Sequence, residues 1–212
     1  MRIKVCGVTR AADARRAAAL GAWAVGMIFV PETPRFLTLA RARRVRAAIP
    51  KGVLAVGVFR DPARTELLRV VRELRLDAVQ IYGTVPTGLR VPAFVAGSSK
   101  PGACDYIFLE PARSDAGRRA GRGPSASARR STWKAAAAWG RKGARVILAG
   151  GLTPRNAAQA AAAARPWALD VSSGVESRPG VKSPALLRAF FAAAGASKHR
   201  SKGPIKQLGP KA

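Results

Sequence analysis

Eight short β-rich runs, all but one ended by glycine or a polar residue and most followed by a helical run, constrain this chain more than any other feature. The runs fall at residues 3–6, 24–30, 53–59, 78–82, 92–96, 106–109, 145–149 and 168–171. Helical composition occupies 11–20, 39–48, 65–74, 132–140, 154–164 and 184–194. Residues 24–30 are apolar without a break, as in a strand buried on both faces. Asp13 sits in the first turn of the first helical run and Gly21 stops it. Thr153 reads as the N-cap of the 154–164 helix, with Pro154 in its first turn. Alternating β and α units predict an α/β fold with parallel strands. Eight units within residues 1–195 predict a single small (β/α)8 TIM barrel. Connections across 83–100 are too short for full helices, so helices four and five are expected to be reduced to turns. An open doubly wound sheet is the alternative.

Composition removes several function classes. Of 212 residues 48% are hydrophobic, enough for one globular core. The longest apolar stretch, 17–30, is interrupted by glycine and stopped by Pro31, short of the roughly 20 residues a membrane span needs. Strand-like sequence starts at Arg2, which leaves no room for a signal peptide, so the expected location is cytoplasmic. Two cysteines, Cys6 and Cys104, exclude a disulfide scaffold and a four-cysteine zinc site. Cys104 precedes the sixth strand, so it should lie a barrel length from Cys6, and no disulfide is expected between them. The one histidine, His199, lies in a basic stretch near the C-terminus, which disfavours Ser-His-Asp, Cys-His and two-histidine metal chemistry.

Lys+Arg 38 against Asp+Glu 11 gives a net charge of +27. Such a balance raises the prospect of a polyanionic partner. Abundant Ala, Arg, Gly and Pro also share GC-rich codons, which accounts for arginine without any partner. The charge is concentrated in the Arg-rich stretch 111–131 and in residues 196–212, which read as a disordered basic tail. No basic patch is interleaved with aromatic residues as a base-stacking platform requires. Nucleic acid is therefore a possible but not a favoured partner.

In a barrel the chemistry sits where the strands end. Those ends carry Cys6, Arg35, Arg60-Asp61, Gln80-Ile81-Tyr82-Gly83, Glu110, Gly150-Gly151 and Asp170-Val171-Ser172-Ser173-Gly174. Glycine-rich ends after strands seven and eight suit a phosphate, because backbone N–H groups approach it closely and serine adds donors; two ordinary turns are the alternative, and the pairing at these two strands favours phosphate. Cys6 alone reads as a small buried hydrophobe, or as a thiolate base or nucleophile if cations lower its pKa. Glu110 alone reads as a solvated loop acid or an arginine partner.

Taken together, these ends resemble the phosphoribosylanthranilate isomerase family of tryptophan biosynthesis. The resemblance lies in Lys4-Val5-Cys6-Gly7-Val8-Thr9-Arg10, in 21–29 followed by Thr33-Pro34-Arg35, and in Gly57-Val58-Phe59. It continues through Gln80-Ile81-Tyr82-Gly83, Leu148-Ala149-Gly150-Gly151-Leu152, Asp170-Val171-Ser172-Ser173-Gly174-Val175-Glu176 and Pro179-Gly180-Val181-Lys182. It covers residues 2–194. The resemblance implies a TIM barrel and a cofactor-free, metal-free aldose–ketose isomerase, an intramolecular oxidoreductase working by acid–base catalysis. The implied reaction is the Amadori rearrangement of N-(5-phosphoribosyl)anthranilate to 1-(2-carboxyphenylamino)-1-deoxyribulose 5-phosphate. It implies Cys6 as general base, Glu110 as general acid, Arg35 on the anthranilate carboxylate with Asp170 beside it, and Gly150, Gly151, Ser172, Ser173 and Gly174 around the phosphate. The partner is then a small phosphorylated substrate, with no membrane involved, and the protein a monomer or homodimer. For such chemistry, burial should raise the acid's pKa and nearby cations should lower the thiol's.

Three departures from the family pattern stand out. Glu110 occupies the place of an aspartate. The loop after strand six only echoes the family's glycine-rich stretch and its Phe-Asp-Trp, in Gly121-Arg122-Gly123-Pro124 and Ser131-Thr132-Trp133. Tyr82 stands where the family has a histidine. These departures keep two rivals open: a barrel that binds a phosphorylated sugar without catalysis, and a polyanion- or RNA-binding protein using the basic segments.

Overall fold

Every strand of the sheet has to bury two faces, one toward the barrel axis and one toward the helices, and the sequence supplies both. In β1 (Arg2–Val5), Ile3 and Val5 belong to the apolar layer shared with the helices, and Lys4 lies on the opposite face. The computed structural model describes residues 1–96, 106–111 and 123–195. The further strands are β2 (Ala24–Ile28), β3 (Leu54–Arg60), β4 (Ala78–Tyr82), β5 (Ala93–Ala96), β6 (Tyr106–Leu109), β7 (Arg145–Leu148) and β8 (Ala168–Val171). Each pairs in parallel with its sequence neighbours, and β8 returns to β1 through Lys4↔Asp170 and Val5↔Val171, closing the barrel. The eight strands match the expected runs to within two residues, and closure excludes the open sheet.

Small and large side chains alternate inside the barrel: Ala24, Ala78 and Ala168 fit around Phe94, Phe108 and Ile147. At the strand starts an aromatic plug shuts the other end. Trp23 meets Trp167 edge-on at 4.7 Å between ring centres, and Tyr106 meets Trp167 at 5.0 Å. The Arg2 guanidinium lies 4.5 Å from the Trp167 ring centre. A plug at one end leaves the strand C-termini as the open end.

The outer layer consists of α1 (Ala11–Ala19), α2 (Leu39–Ala47), α3 (Arg64–Leu74), α4 (Ala126–Arg141), α5 (Ala157–Ala164) and α6 (Pro184–Ala193). Among the described residues no helix joins β4 to β5, as the short connection implied. The whole β5–β6 connection, 97–105 with Cys104, lies outside the described residues, as do residues 112–122 of the Arg-rich stretch and the 196–212 tail. No helix among the described residues is long and apolar enough to cross a membrane.

Two helix starts differ from expectation. α4 begins at Ala126 rather than 132, because the Ser125 hydroxyl caps it by accepting from the Ala128 N–H at 3.1 Å. α5 begins at Ala157 rather than Pro154. The Asn156 side chain accepts from Thr153 N–H (2.8 Å) and donates to the Gly151 carbonyl (2.9 Å), fixing residues 154–156 as a turn. After β8 come a 3-10 turn, Ser173–Val175, and a small antiparallel pair, β9 (Glu176–Arg178) and β10 (Val181–Lys182), that the sequence did not announce. Asp13 of α1, fully buried, accepts from the Lys182 N–H at 3.2 Å and ties this pair to the barrel wall.

Helix α6 shows how strongly one face carries the outer layer. Phe190 is completely buried and Leu186, four residues earlier, is exposed. Urea unfolding should show Phe190→Ala losing about 3–5 kcal/mol, and Leu186→Ala changing stability by less than about 0.5 kcal/mol. Equal effects would contradict the assigned face.

Candidate active site

The open end of the barrel holds a cavity, and its floor is polar. Lys4 projects inward from β1 with no exposed surface; its ammonium donates to Gln80 Oε1 at 2.8 Å and to Asp170 Oδ1 at 2.9 Å. Burial works against this charge, but Asp170 and Cys6 more than offset it and hold the lysine above its ordinary pKa. Because Lys4 occupies the Gln80 oxygen, the amide nitrogen faces Tyr82 and donates to its hydroxyl at 3.1 Å. Burial, with Glu110, Cys6 and Asp170 nearby, pushes the Tyr82 phenol far up, so it stays an O–H.

Cys6 follows Lys4 by two residues and so faces the same way. It is buried at the cavity wall. Burial pushes its thiol above the ordinary value and Asp170 adds to this, whereas Lys4 and Lys182 pull it down without prevailing. This corrects the expectation of a lowered thiol: the cations are present, and desolvation outweighs them. Glu110, on the opposite wall after β6, is exposed among the described residues.

The glycine-rich ends form the third part. Gly150 and Gly151 adopt φ of +86° and +68°, a region that side chains other than glycine's rarely enter. Among the described residues their N–H groups donate to no backbone carbonyl. Gly174 packs directly on the loop after β7: a Cβ there would lie 1.8 Å from the Leu152 carbonyl oxygen. The two loops therefore make one continuous surface, to which Ser172 and Ser173 contribute.

A second ionic cluster braces this surface. Glu176 accepts from Arg35 Nε at 2.9 Å, from Arg35 Nη2 at 2.6 Å and from Lys182 Nζ at 2.8 Å; Lys182 Nζ also donates to the Ser172 carbonyl at 3.1 Å. Burial opposes the Glu176 charge, yet Arg35 and Lys182 hold its carboxyl below the usual range. Burial drags Lys182 down despite Glu176. The Arg35 fork is thus committed to Glu176.

All nine site residues singled out from the sequence line this one cavity: Cys6, Glu110, Arg35 and Asp170, and the five residues Gly150, Gly151, Ser172, Ser173 and Gly174. The arrangement offers a thiol and a carboxyl on opposite walls beside a cradle of N–H and hydroxyl donors, which suits proton transfer on an anionic ligand. Lys4, Gln80, Glu176 and Lys182 had been given no role. A lysine between Ile3 and Val5, in phase with Cys6, was the available signal for the first.

The sequence model of a family described as N-(5'-phosphoribosyl)anthranilate isomerase matches residues 3–91 and 124–193. The gap contains Glu110. A relative of that name from Pseudomonas paraeruginosa is 37% identical, covering 90% of this chain and 93% of its own. Another, from Halobacterium salinarum, is 38% identical over 92% and 96%. The crystal structure of the Thermotoga maritima phosphoribosylanthranilate isomerase superposes with a TM-score of 0.79 at 30% identity, over 92% of this chain and 98% of that one. A further isomerase structure, at 29% identity over the same shares and a TM-score of 0.72, holds reduced 1-(o-carboxyphenylamino)-1-deoxyribulose 5-phosphate. With its closed eightfold barrel and its matches on both sides of the gap, this chain belongs to the N-(5'-phosphoribosyl)anthranilate isomerase family.

Proposed function

We propose that this protein isomerises N-(5-phosphoribosyl)anthranilate to 1-(2-carboxyphenylamino)-1-deoxyribulose 5-phosphate, a step of tryptophan biosynthesis, with Cys6 as base and Glu110 as acid. The observation that carries the reading is that both residues open onto the cavity that holds the glycine–serine cradle, in a chain of this family.

The substrate phosphate sits on the Gly150-Gly151 and Ser172–Gly174 surface. Glu110 gives a proton to the furanose oxygen, the C1–O bond breaks, and an iminium forms between C1 and nitrogen. The Cys6 thiolate removes the C2 proton, and the electron pair moves to make the enolamine. Proton transfer then converts this to the C2 ketone. Oxidation at C2 and reduction at C1 balance within one molecule, so proton transfers alone suffice and no cofactor or metal is needed. Lys4 and Lys182 favour the thiolate, and the iminium's positive charge favours it further just when the base is needed. A thiol held high is scarce as thiolate but strong as a base. Asp170 acts through Lys4, whose charge it balances. Arg35 braces the cradle through Glu176, and its Nη1, with no protein partner among the described residues, is left for the ligand.

Three measurements test this. Following the loss of substrate fluorescence, Cys6→Ala and Glu110→Gln should each lower kcat by roughly 10²–10⁴-fold with little change in affinity for a product analogue; unchanged turnover in either removes that residue from the mechanism. Gly174→Ala should force the two loops apart and raise KM more than it lowers kcat; a KM at the wild-type value would mean that the cradle does not hold the phosphate. In a Cys104→Ser background, alkylation of Cys6 by iodoacetamide should rise with a midpoint above the ordinary thiol value of about 8.5. Lys4→Met removes a cation that favours the thiolate, so the midpoint should move higher still. A midpoint that falls would reverse the assigned influence of Lys4.

A further inference from the structure

The cradle has a back as well as a front. Ser172, Ser173 and Gly174 line the cavity, whereas Lys182 and Glu176 lie behind them and do not. The Lys182 side chain has no exposed surface, and its ammonium donates to the Ser172 carbonyl at 3.1 Å and to Glu176 Oε1 at 2.8 Å. The Ser172–Ser173 peptide is trans, so its N–H points opposite to the carbonyl that Lys182 holds. The Ser173 N–H thereby faces away from the lysine, and among the described residues it donates to no backbone carbonyl. Three contacts keep the lysine in place. Its own N–H donates to Asp13 of α1 at 3.2 Å, the Gly180 carbonyl accepts from the Thr9 hydroxyl at 2.5 Å, and the Ser183 N–H donates to the Val175 carbonyl at 2.9 Å. Glu176 is shared between Lys182 and Arg35, so two cations and one carboxylate leave an excess of positive charge behind the loop.

Resting on the isomerase reading and its phosphate cradle, we propose that Lys182 is a positioning residue for the substrate phosphate: it fixes the Ser172 carbonyl from behind and so presents the Ser173 N–H to the anion. A cation on the carbonyl also polarises the peptide, which makes its N–H a stronger donor. The lysine never touches the phosphate. Its charge reaches the anion through one peptide group, in a buried setting where salt screens little. A donor already turned toward the cavity needs no reorganisation when the ligand arrives. Lys182 thus does for the β8 loop what positive φ at Gly150 and Gly151 does for the β7 loop: it sets the direction of a backbone N–H.

Calorimetric titration with two ligands tests the assignment: reduced 1-(o-carboxyphenylamino)-1-deoxyribulose 5-phosphate and, at millimolar concentration, the same compound without its phosphate. Binding is read instead of turnover, because Lys182 also acts on the Cys6 thiol. Lys182→Met keeps a side chain of similar length and removes its charge and donors. It should weaken the first ligand about 10- to 100-fold and the second by less than about 2-fold, as befits loss of a charge-assisted hydrogen bond. Glu176→Gln, which leaves Lys182 on the carbonyl, should weaken the first by less than about 3-fold. Adding Lys182→Met to Glu176→Gln should bring back the full phosphate-dependent loss; this pair strands no carboxylate, and it decides the matter if Lys182→Met alone does not fold. An equal loss on both ligands, or on neither, overturns the proposal. So does a double variant that binds as well as Glu176→Gln, because Lys182 would then only neutralise Glu176. Wild-type protein that binds neither ligand overturns the isomerase reading itself, and wild-type protein that binds both alike overturns the phosphate cradle. A phosphate preference that Lys182→Met leaves intact overturns only the role of the lysine.

Discussion

The polar floor of this barrel depends on one buried ammonium. Lys4 has no exposed surface, and moving such a charge out of water costs several kcal/mol before any partner is counted. It is tolerable because Asp170 lies 2.9 Å away and Gln80 2.8 Å away. The pairing does more than neutralise. It links β1 to β8 and β4 across the axis, orients the Gln80 amide, and through it the Tyr82 hydroxyl. It also sets a cation beside a thiol that burial alone would hold higher. Replacing the ion pair with apolar side chains could leave the barrel as stable, but Tyr82 would lose its direction and Cys6 its counter-charge. The interaction is best understood as positional, with stability a lesser consequence.

The strands were legible because two-faced burial leaves a strong mark. Runs such as Ala24–Ile28 cannot be read as anything solvated, and the glycine or polar residue that follows most of the eight marks the open end of the barrel. The helix starts were less legible, for two different reasons. In α4 the buried residues are Trp133 and Ala136, so its first turns, rich in Ser and Arg, present no apolar face to the sequence reader. At α5 a favourable proline pointed to Pro154, but the Asn156 side chain bonds across the turn and settles the start three residues later. Side-chain capping is decided by which polar atom reaches which backbone group, and hydrophobic periodicity does not register it.

The cradle could be anticipated because its glycines answer a backbone demand: positive φ at Gly150 and Gly151, and no room for a Cβ at Gly174. The braces behind it could not. Arg35 and Glu176 are 141 residues apart, and only the closed barrel brings them together. Lys182 reads as one more exposed lysine until Asp13 captures its N–H and Glu176 its ammonium. The thiol's electrostatics escape the sequence for a related reason. Counting nearby cations ignores the desolvation that accompanies a position inside a barrel, and for Cys6 that term is the larger.

The net charge of +27 invites a polyanion as partner, yet near the cavity the fold uses very little of it. Lys4 and Lys182 are buried against carboxylates, and Arg35 is clamped by Glu176. Two carboxylates, Asp170 and the shared Glu176, offset most of these three charges locally, so they shape the site more than they extend a field. Much of the remaining described charge is spread over helix surfaces, as on α2, whose arginines 41, 43 and 44 are exposed. At physiological ionic strength such charges act over about 8 Å, too short to reach the cavity from the far side of a helix. What faces the mouth is therefore a local pattern: the Gly150 and Gly151 N–H groups after β7, which among the described residues donate to no backbone carbonyl, and the Arg60 guanidinium at the end of β3, which makes no ion pair among them. That pattern comes from which donors the described residues leave without a partner, and the total charge of the chain would not have revealed it.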